Sequence, residues 1–550
     1  MRLAGALSLL SALTPPDRAR VRALSHLVHH VVIGNATAIA AGTGVLLLVL
    51  ASGIRRGKLR AWRAAVLVLA VSTVAQVLKG LDVEEAVALT AVLVWLVRRR
   101  PAFTAAPDPV SRGQAVRLAV GLLVLCTGAG ILMLLMSRPS TVAGHRDLGT
   151  LVRTVLGGFV GATGPLALVG RRGDSVGDVL AGLGVLVAVL PTWAAVRAAR
   201  PDTRVAPDTD LATALVARFP ADSLGYFALR DDRNLVATAS RKAAVSYRFV
   251  GGVALAAGDP LGDPEAWPAA IREFQSLCER QGWVPAVLGA GEAAAKQYAK
   301  AGFSVLELGD EAVLDPARLS LTGRSARPLR QAVARAERSG FTTSLTAVSG
   351  LAPEELRQLA RLAATWREGD LERGYSMALN RFGDPRDPDC VVAVARDAEG
   401  VPRALLHLVP WGADGWSLDL MRRDPTAPNG VVELLVTAVA RSAAAQGKTR
   451  LSLNFAMFRD VLERGARVGA GPLLRLQHKG ILLAGRFWQL DTLYRFNRKF
   501  EPTWQARFLC YPGAGDLPRV AIATLRAEAF LGPVRRPRHV TVPDALPAAS

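Results

Sequence analysis

Cysteine is scarce in this 550-residue chain, and its four copies, Cys126, Cys278, Cys390 and Cys510, stand singly. No Cys-x-x-Cys spacing occurs, which argues against a disulfide framework and against a cysteine-based zinc site. Seven histidines, among them His29, His30, His407 and His478, show no zinc-enzyme ligand pattern such as His-x-Glu. The sequence therefore predicts no structural or catalytic metal, and the histidines read as ordinary polar or half-buried residues. The Walker lysine and the three-glycine dinucleotide fingerprint are also missing. Gly258-Asp-Pro-Leu-Gly-Asp263 is a tight turn between a strand and a helix, with only a superficial likeness to a phosphate loop, so no nucleotide or other cofactor is expected. From Leu211 onward there is no Gly-x-Ser-x-Gly elbow for a covalent acyl intermediate. Met1 to Thr14 is short, carries one arginine and meets Pro15-Pro16, which is not the layout of a cleaved signal peptide.

Apolar residues, by contrast, make up 51% of the chain, and the mean hydropathy is +0.26. The excess is local. Val31 to Ile54, Ala64 to Leu78, Val83 to Val97, Ala115 to Met136 and Val176 to Ala195 hold few or no charges, and several reach the roughly 20 residues that cross a bilayer. Leu151 to Gly170 is a weaker sixth candidate, with Arg153 near its start and several glycines. The formal charge of +21 is uneven: residues 1–200 carry 22 Lys and Arg against 8 Asp and Glu, and the rest 45 against 38. Arg55, Arg56, Lys58, Arg60 and Arg63, and Arg98 to Arg100, are short-loop charges of the kind held in the cytoplasm, whereas Asp82-Val-Glu-Glu85 belongs outside. Six crossings would put both termini outside, but Arg18, Arg20, Arg22, Arg197 and Arg200 vote for inside. Five crossings with one re-entrant or interfacial segment would restore a cytoplasmic C-terminal half.

Residues 200–210 have the composition of a linker, and periodicity resumes at Leu211. Short apolar runs at 223–229, 235–239, 244–249 and 253–257 read as a strand meander. A helix at 264–281, a strand at 284–288, a helix at 292–301 and a strand at 304–308 come next. The order recurs as a helix at 353–366, strands at 390–395, 404–410 and 415–421, a helix at 431–446 and a strand at 450–455. This predicts duplicated α+β modules. Between them lie Arg324, Arg327, Arg330, Arg335 and Arg338, several of which share a face of a helix starting near Pro328. They form either a solvated face or a strip that neutralises phosphates of RNA or lipid, with Arg324, Arg327 and Arg330 as candidate contacts.

Alternation along Trp416 to Met421 puts Ser417, Asp419 and Met421 on one face of a strand and Trp416, Leu418 and Leu420 on the other. A carboxylate at that strand end can position or accept a proton from an amine or hydroxyl, and Arg422 can hold a phosphate or an oxyanion. An Asp-Arg ion pair closing a turn is the plainer alternative. Asn454 offers both ends of its amide to a carbonyl or amino group, and Arg459 lies one short turn beyond. Gln489, Asn497, Lys499 and Arg507 fall in a stretch where Trp488, Tyr494, Phe496, Phe500, Trp504 and Phe508 interleave with cations. Such mixing suits stacking on bases and pairing with phosphates, or simply a core.

At these residues the chain resembles the phosphatidylglycerol lysyltransferase family, the multiple peptide resistance factors, and most closely its actinobacterial branch. The resemblance covers about residues 220–530. It rests on Ser223-Leu-Gly-Tyr-Phe227, Gly258-Asp-Pro-x-Gly262, Glu307-Leu-Gly-Asp-Glu-Ala312, Leu329-Arg-Gln-Ala-Val333, Gly374-Tyr-Ser-Met-Ala378, Ser417 to Arg423, Ser452-Leu-Asn-Phe455 and Leu493 to Phe500. The hydrophobic half matches the family by architecture only. What the resemblance implies is a multi-span α-helical membrane domain at 1–200, a linker at 201–210, and an α+β soluble region of two tandem acetyltransferase-type (GNAT) modules. These modules fall at 211–340 and at 341–535, the second catalytic, with a flexible tail at 536–550.

The implied activity is transfer of an aminoacyl group, lysine by family precedent, from aminoacyl-tRNA to the glycerol hydroxyl of phosphatidylglycerol at the cytoplasmic face of the cell membrane. By the same resemblance Asp419 and Arg422 are the catalytic candidates, and Ser417, Asn454, Arg459, Lys499 and Arg507 are candidates for binding substrate. Some members fuse a lysyl-tRNA synthetase after the transferase. Here the chain stops at Ser550, so the expectation is a supply of charged tRNA from elsewhere, and extra spans assigned to lipid flipping are not expected. Anionic lipids are expected partners, and a homo-oligomer is allowed. An aminoacyltransferase acting on a peptidoglycan precursor, and a non-catalytic lipid transporter or binding protein, remain as alternatives.

Overall fold

A computed structural model describes residues 43–51, 53–54, 58–80, 83–100, 103, 109–162, 164–196, 208–367, 374–457 and 490–531. The chain divides into two compact units, one built largely from the first 201 residues and one from most of the remainder.

The first unit is helical, with α1 at Leu59–Gly80, α2 at Val83–Arg98, α3 at Pro109–Met136, α4 at Leu148–Phe159 and α5 at Gly170–Val196. Among the described residues, Ala115–Met136 and Gly170–Ala195 are long and apolar enough to cross a membrane by length and composition, whereas Ala61–Thr73, Val87–Arg98 and Leu148–Phe159 are shorter apolar helices. Residues 31–42 and 52 of the expected first run lie outside the described residues. The expected weak run at 151–170 is not one long helix: α4 has 12 residues, about 18 Å against about 30 Å of hydrocarbon. Asp147 starts it by accepting a hydrogen bond from the Thr150 amide at 3.0 Å, and Gly161 at φ +73° lies just past its end. Glycine lets α4 and α5 approach closely, since a Cβ on Gly184 would lie 2.0 Å from the Phe159 carbonyl oxygen. Val124, Leu125 and Met136 of α3 are exposed.

Among the described residues, the second unit is organised by a single 12-stranded sheet. In chain order the described residues from 208 onward hold α6 (Thr209–Arg218), β1 (Asn234–Ala237), β2 (Ala243–Val250), β3 (Val253–Ala257), α7 (Trp267–Gln281), β4 (Val284–Ala290), α8 (Glu292–Lys300) and β5 (Ser304–Leu314). Then come α9 (Arg327–Arg338), β6 (Thr342–Ala347), α10 (Pro353–Thr365), β7 (Val391–Arg396), β8 (Pro402–Pro410) and β9 (Gly415–Arg423). Last are α11 (Val431–Ala445), β10 (Arg450–Met457), α12 (Leu490–Arg498), β11 (Thr503–Tyr511) and α13 (Leu517–Ala527). The strand order is β1-β2-β3-β4-β11-β5-β10-β9-β8-β7-β6, with the two-residue strand Leu261–Gly262 beside β2.

Two parallel pairs, β3 with β4 and β9 with β10, sit in otherwise antiparallel surroundings. The centre is an exchange. β5, which comes after β4 in the chain, pairs with β10, and the late strand β11 pairs with β4. The repeat read from the sequence is therefore one continuous sheet here, and the early half's core includes Leu509, Val520, Ala523 and Ala527 from the chain's last described segment. Residues 223–229, expected to open the meander, instead form a 3-10 turn at Gly225–Leu229.

One face of the later half is covered by α9 and α11, with Leu329, Val333, Leu435 and Val439 against Leu406, Leu418 and Leu451. The other face is covered by α6, α10 and the 3-10 turn, with Leu215, Phe227 and Leu359 against Val392, Leu405 and Val409. Gly430, at φ +111°, caps α11 where a Cβ would lie 2.4 Å from the Ala332 carbonyl oxygen. Only glycine meets both demands.

Candidate functional site

β9 and β10 pair through Gly415 and Arg450, Trp416 and Leu451, and Ser417 and Ser452, and there the pairing ends. Two irregularities shape the strand ends beyond that point. In β10 the register against β5 shifts between Ser452 and Phe455, and Asn454 stands there in the left-handed region at φ +67°, a conformation that asparagine tolerates better than most residues. Its Nδ2 donates to the Leu418 carbonyl and, at 3.4 Å, to that of Met377. Its backbone N–H donates to Ser452 Oγ at 3.1 Å. Asn454 Oδ1 is buried and has no partner among the described residues. The sequence expectation that both amide ends serve a ligand thus narrows to the oxygen.

In β9 the irregularity is a bulge. His407 of β8 pairs with Leu420 and Leu408 with Leu418, so Asp419 is the extra residue. This corrects the simple alternation: Leu420 packs into the cluster with Leu405 and Val409, and Met421 into the cluster with Leu418. Asp419 Oδ2 lies 2.6 Å from His407 Nδ1, with side-chain exposures of 4% and 0%. Asp419 Oδ1 accepts the Leu379 N–H at 2.5 Å. The Phe382 ring meets the imidazole edge-on at 5.0 Å. Sequence reasoning sets His407 aside as an ordinary histidine. Only the strand pairing reveals its partner, since the two residues are twelve apart.

Leu379 ends a segment from Gly374 that is tied down at several points. Glu528 accepts the Tyr375 and Ser376 amides at 2.7 and 3.1 Å, and burial raises its pKa. Tyr375 Oη donates to the Leu255 carbonyl at 2.5 Å, and the Arg233 guanidinium stacks on the tyrosine ring at 4.6 Å. Arg381 grips Asp387 at 2.6 Å.

Beside the parting lies a buried polar network. Ser417 Oγ donates to the Ser223 carbonyl at 2.8 Å. Ser223 Oγ donates to Glu311 at 2.5 Å, and Ser452 Oγ donates to the same carboxylate oxygen. Arg507 donates from Nε to Glu311 at 2.9 Å and from its terminal nitrogens to Ser223 Oγ at 2.7 Å and the Gly289 carbonyl at 3.2 Å. It also pairs with Asp222 at 2.8 Å. Asp259 completes the cluster, its Oδ1 accepting the Gly291 amide at 2.7 Å. Burial, then the neighbouring Asp222, push its pKa up to about 7. The turn at Gly258 is therefore lined by carboxylates, which suits no phosphate.

The remaining candidates disperse. Ser417 is buried in the network just described. Arg422 is half-buried and donates to the Met421 carbonyl at 3.0 Å. Lys499 Nζ donates to Glu433 at 2.7 Å. Arg507, expected to meet substrate, is 4% exposed and spends its guanidinium inside the protein, which corrects that expectation. Arg324 and Arg327 are exposed, but Arg330 folds back onto the Leu321 and Gly323 carbonyls at 2.6 and 3.1 Å. Phe496, Phe500 and Trp504 pack against the core around Leu418, so the core reading of those aromatics holds for them. Arg459, Trp488 and Gln489 lie outside the described residues. Among the described residues no group of three His, Cys, Asp or Glu could hold a metal ion.

Chemically, the parting combines a carboxylate held by two donors with an amide oxygen free to accept. That suits orienting an amine or hydroxyl and receiving its proton.

Comparison with known proteins gives a consistent family. The family model described as phosphatidylglycerol lysyltransferase, C-terminal, matches residues 213–511. Lysylphosphatidylglycerol biosynthesis bifunctional protein LysX of Mycobacterium marinum is 40% identical over 461 residues, covering 82% of this chain and 40% of that protein. The protein of the same name from Rhodococcus opacus is 39% identical over 526 residues, covering 92% of this chain and 47% of its own. That second alignment reaches well into the hydrophobic half, so likeness there extends beyond architecture. The chain spans less than half the length of either relative. Among solved structures, L-PGS from Bacillus licheniformis superposes with a TM-score of 0.51 at 22% identity, covering 59% of this chain and 98% of its own. The C-terminal domain of a putative lysylphosphatidylglycerol synthetase from Agrobacterium fabrum gives 0.50 at 23% identity, covering 60% and 99%. These two establish the fold of the globular half.

Proposed function

Because this chain belongs to the phosphatidylglycerol lysyltransferase family, we propose that it transfers an aminoacyl group, lysyl by the family's name, from aminoacyl-tRNA to a hydroxyl of phosphatidylglycerol. The observation that carries the reading is the parting of β9 and β10 after Ser417 and Ser452, with Asp419 and Asn454 standing at it.

The ester on tRNA is already activated, so the step needs no further energy source. The lipid hydroxyl loses its proton as its oxygen bonds to the aminoacyl carbonyl carbon. A tetrahedral oxyanion forms and collapses, and the tRNA ribose oxygen leaves and takes up a proton. The protein's contribution is alignment, a proton acceptor and oxyanion stabilisation. Asp419 accepts or steers the proton, Asn454 Oδ1 accepts an N–H of the aminoacyl amine, and Arg422 and Lys499 hold phosphate or oxyanion. Arg459 is retained as a binding residue from the sequence. Arg324 and Arg327 meet tRNA phosphates, and Ser417 and Arg507 hold the frame.

The globular half reads as two acetyltransferase-type modules, drawn mainly from 211–340 and 341–535 with β5 and β11 exchanged between them, the second carrying the chemistry. Support comes from the matched parallel pairs, each with a positive-φ extra residue in its second strand, Gly289 in β4 and Asn454 in β10. The helical half, at 1–200, reads as a multi-pass anchor in the cell membrane, joined through 201–210 to a cytoplasmic catalytic region where charged tRNA is found. Exposed Val124, Leu125 and Met136 support a hydrocarbon setting.

The test is reconstitution of the full chain in phosphatidylglycerol vesicles supplied with radiolabelled lysyl-tRNA. A labelled, ninhydrin-positive phospholipid that requires both substrates is expected. Label that stays on tRNA, or moves only to an added peptidoglycan precursor, overturns the reading.

A further inference from the structure

We propose that His407 is the positioning residue that orients the Asp419 carboxylate for transfer, an inference that rests on the reaction proposed above. The two residues meet because of the β9 bulge: Asp419 is the extra residue opposite His407, which turns its side chain toward the imidazole. Contact is direct, 2.6 Å between Nδ1 and Oδ2, with the imidazole fully buried.

The surroundings fix the tautomer. His407 Nε2 is buried and has no hydrogen-bond partner among the described residues, and the neighbouring Leu405, Val409 and Phe382 are apolar. A proton on Nε2 would bury an unpaired donor, whereas a proton on Nδ1 is met by a carboxylate oxygen. Nδ1–H therefore donates to Asp419, and Nε2 is left as a bare lone pair.

The other carboxylate oxygen accepts the Leu379 amide. Two donors from two separate elements, β8 and the segment after Gly374, thus set the plane of one carboxylate. Each oxygen keeps a further lone pair for a ligand. A buried Asp-His pair is a costly way to fill a site in an apolar layer, and an all-apolar pair would pack there at lower cost. Orientation of Asp419 accounts for the arrangement, because placement errors of about 1 Å at a reacting group cost about a hundredfold in rate.

The experiment uses the full chain in phosphatidylglycerol vesicles with lysyl-tRNA, comparing His407→Leu, His407→Asn, Asp419→Asn and the double variant His407→Leu/Asp419→Asn. His407→Leu is expected to lower kcat about a hundredfold with both KM values unchanged. His407→Asn restores an N–H donor near the Nδ1 position and recovers most of the loss. In the Asp419→Asn background, His407→Leu adds nothing. Full activity of His407→Leu, or equal losses in both backgrounds, overturns the proposal.

Nitrogen-15 spectra of histidine-labelled full chain in nanodiscs give a readout independent of turnover. A hydrogen-bonded Nδ1–H assigned by its loss in His407→Asn, and shifted by Asp419→Asn, is expected. If the wild-type chain transfers nothing but shows this signal, the proposed function fails while the Asp-His geometry stands. If the signal is missing, the positioning role fails even in an active enzyme. Should His407→Leu not fold, His407→Asn and the spectra still decide.

Discussion

Arg507 and Glu311 meet in the middle of the sheet, on the adjacent strands β11 and β5, with Arg507 Nε donating to Glu311 Oε2 at 2.9 Å. Glu311 has no exposed surface and Arg507 is 4% exposed. The pair joins the two exchanged strands, so it bears on the integrity of both halves of the sheet.

Arg507→Ala would leave the buried carboxylates of Asp222 and Glu311 without the cation that both of them meet. A loss of about 3–5 kcal/mol is expected, because removing one partner strands an uncompensated charge. Chemical denaturation of the detergent-solubilised chain measures it. A variant of wild-type stability with a raised KM for tRNA would return Arg507 to the substrate site.

Asn454 separates backbone from side-chain roles. At φ +67°, Asn454→Gly keeps the conformation, whereas Asn454→Leu is expected to unfold more easily than the glycine variant by about 1–2 kcal/mol. Both lose the amide and with it the lipid product. Denaturation curves and thin-layer analysis of lipids check the two halves of this expectation, and a fully active glycine variant would remove the amide from the reaction.

Much of this architecture was legible because its signals are local. The run Val253–Ala257 is a strand with the expected bounds, and the helices starting at Pro353 and Val431 begin where their periodicity does. What escaped depends on distant segments. β11 is hidden among aromatic and cationic residues, and its Arg507 has acidic partners some 200 or more positions away. Asp419 stands out in the sequence as a chemical group, but the bulge that turns it to His407 exists only through pairing with β8. Ser417 carries a correct strand assignment and a different job, since its hydroxyl meets the Ser223 carbonyl.

The arginines around α9 divide by geometry. Arg324 and Arg327 are exposed, whereas Arg330 closes the loop at Leu321 and Gly323. Arg324→Ala and Arg327→Ala are each expected to weaken tRNA binding and to lower the salt slope of log K by about 1. Arg330→Ala is expected to change the slope less and to loosen the loop. Filter binding of tRNA across a salt series distinguishes them, and slopes equal to that of the wild type in all three variants would exclude these arginines from the RNA contact.

Asp259 gives the fold a pH dependence of definite sign. Its pKa is pushed from 3.8 up to about 7, first by burial and then by Asp222, while Arg507 pulls the other way. In the unfolded chain the carboxyl titrates near its ordinary value, so between about pH 4 and pH 7 the folded state binds more protons than the unfolded one. Stability from this group is complete below the unfolded value and is lost as pH rises through the folded one. Asp259→Asn keeps an oxygen for the Gly291 amide, which the aspartate accepts at 2.7 Å, and carries no charge at any pH. The variant is therefore expected to gain thermal stability over the wild type at pH 8, with the difference shrinking toward pH 5. Melting temperatures across that range decide the matter, since a gap that stays constant with pH would mean that Asp259 does not titrate there.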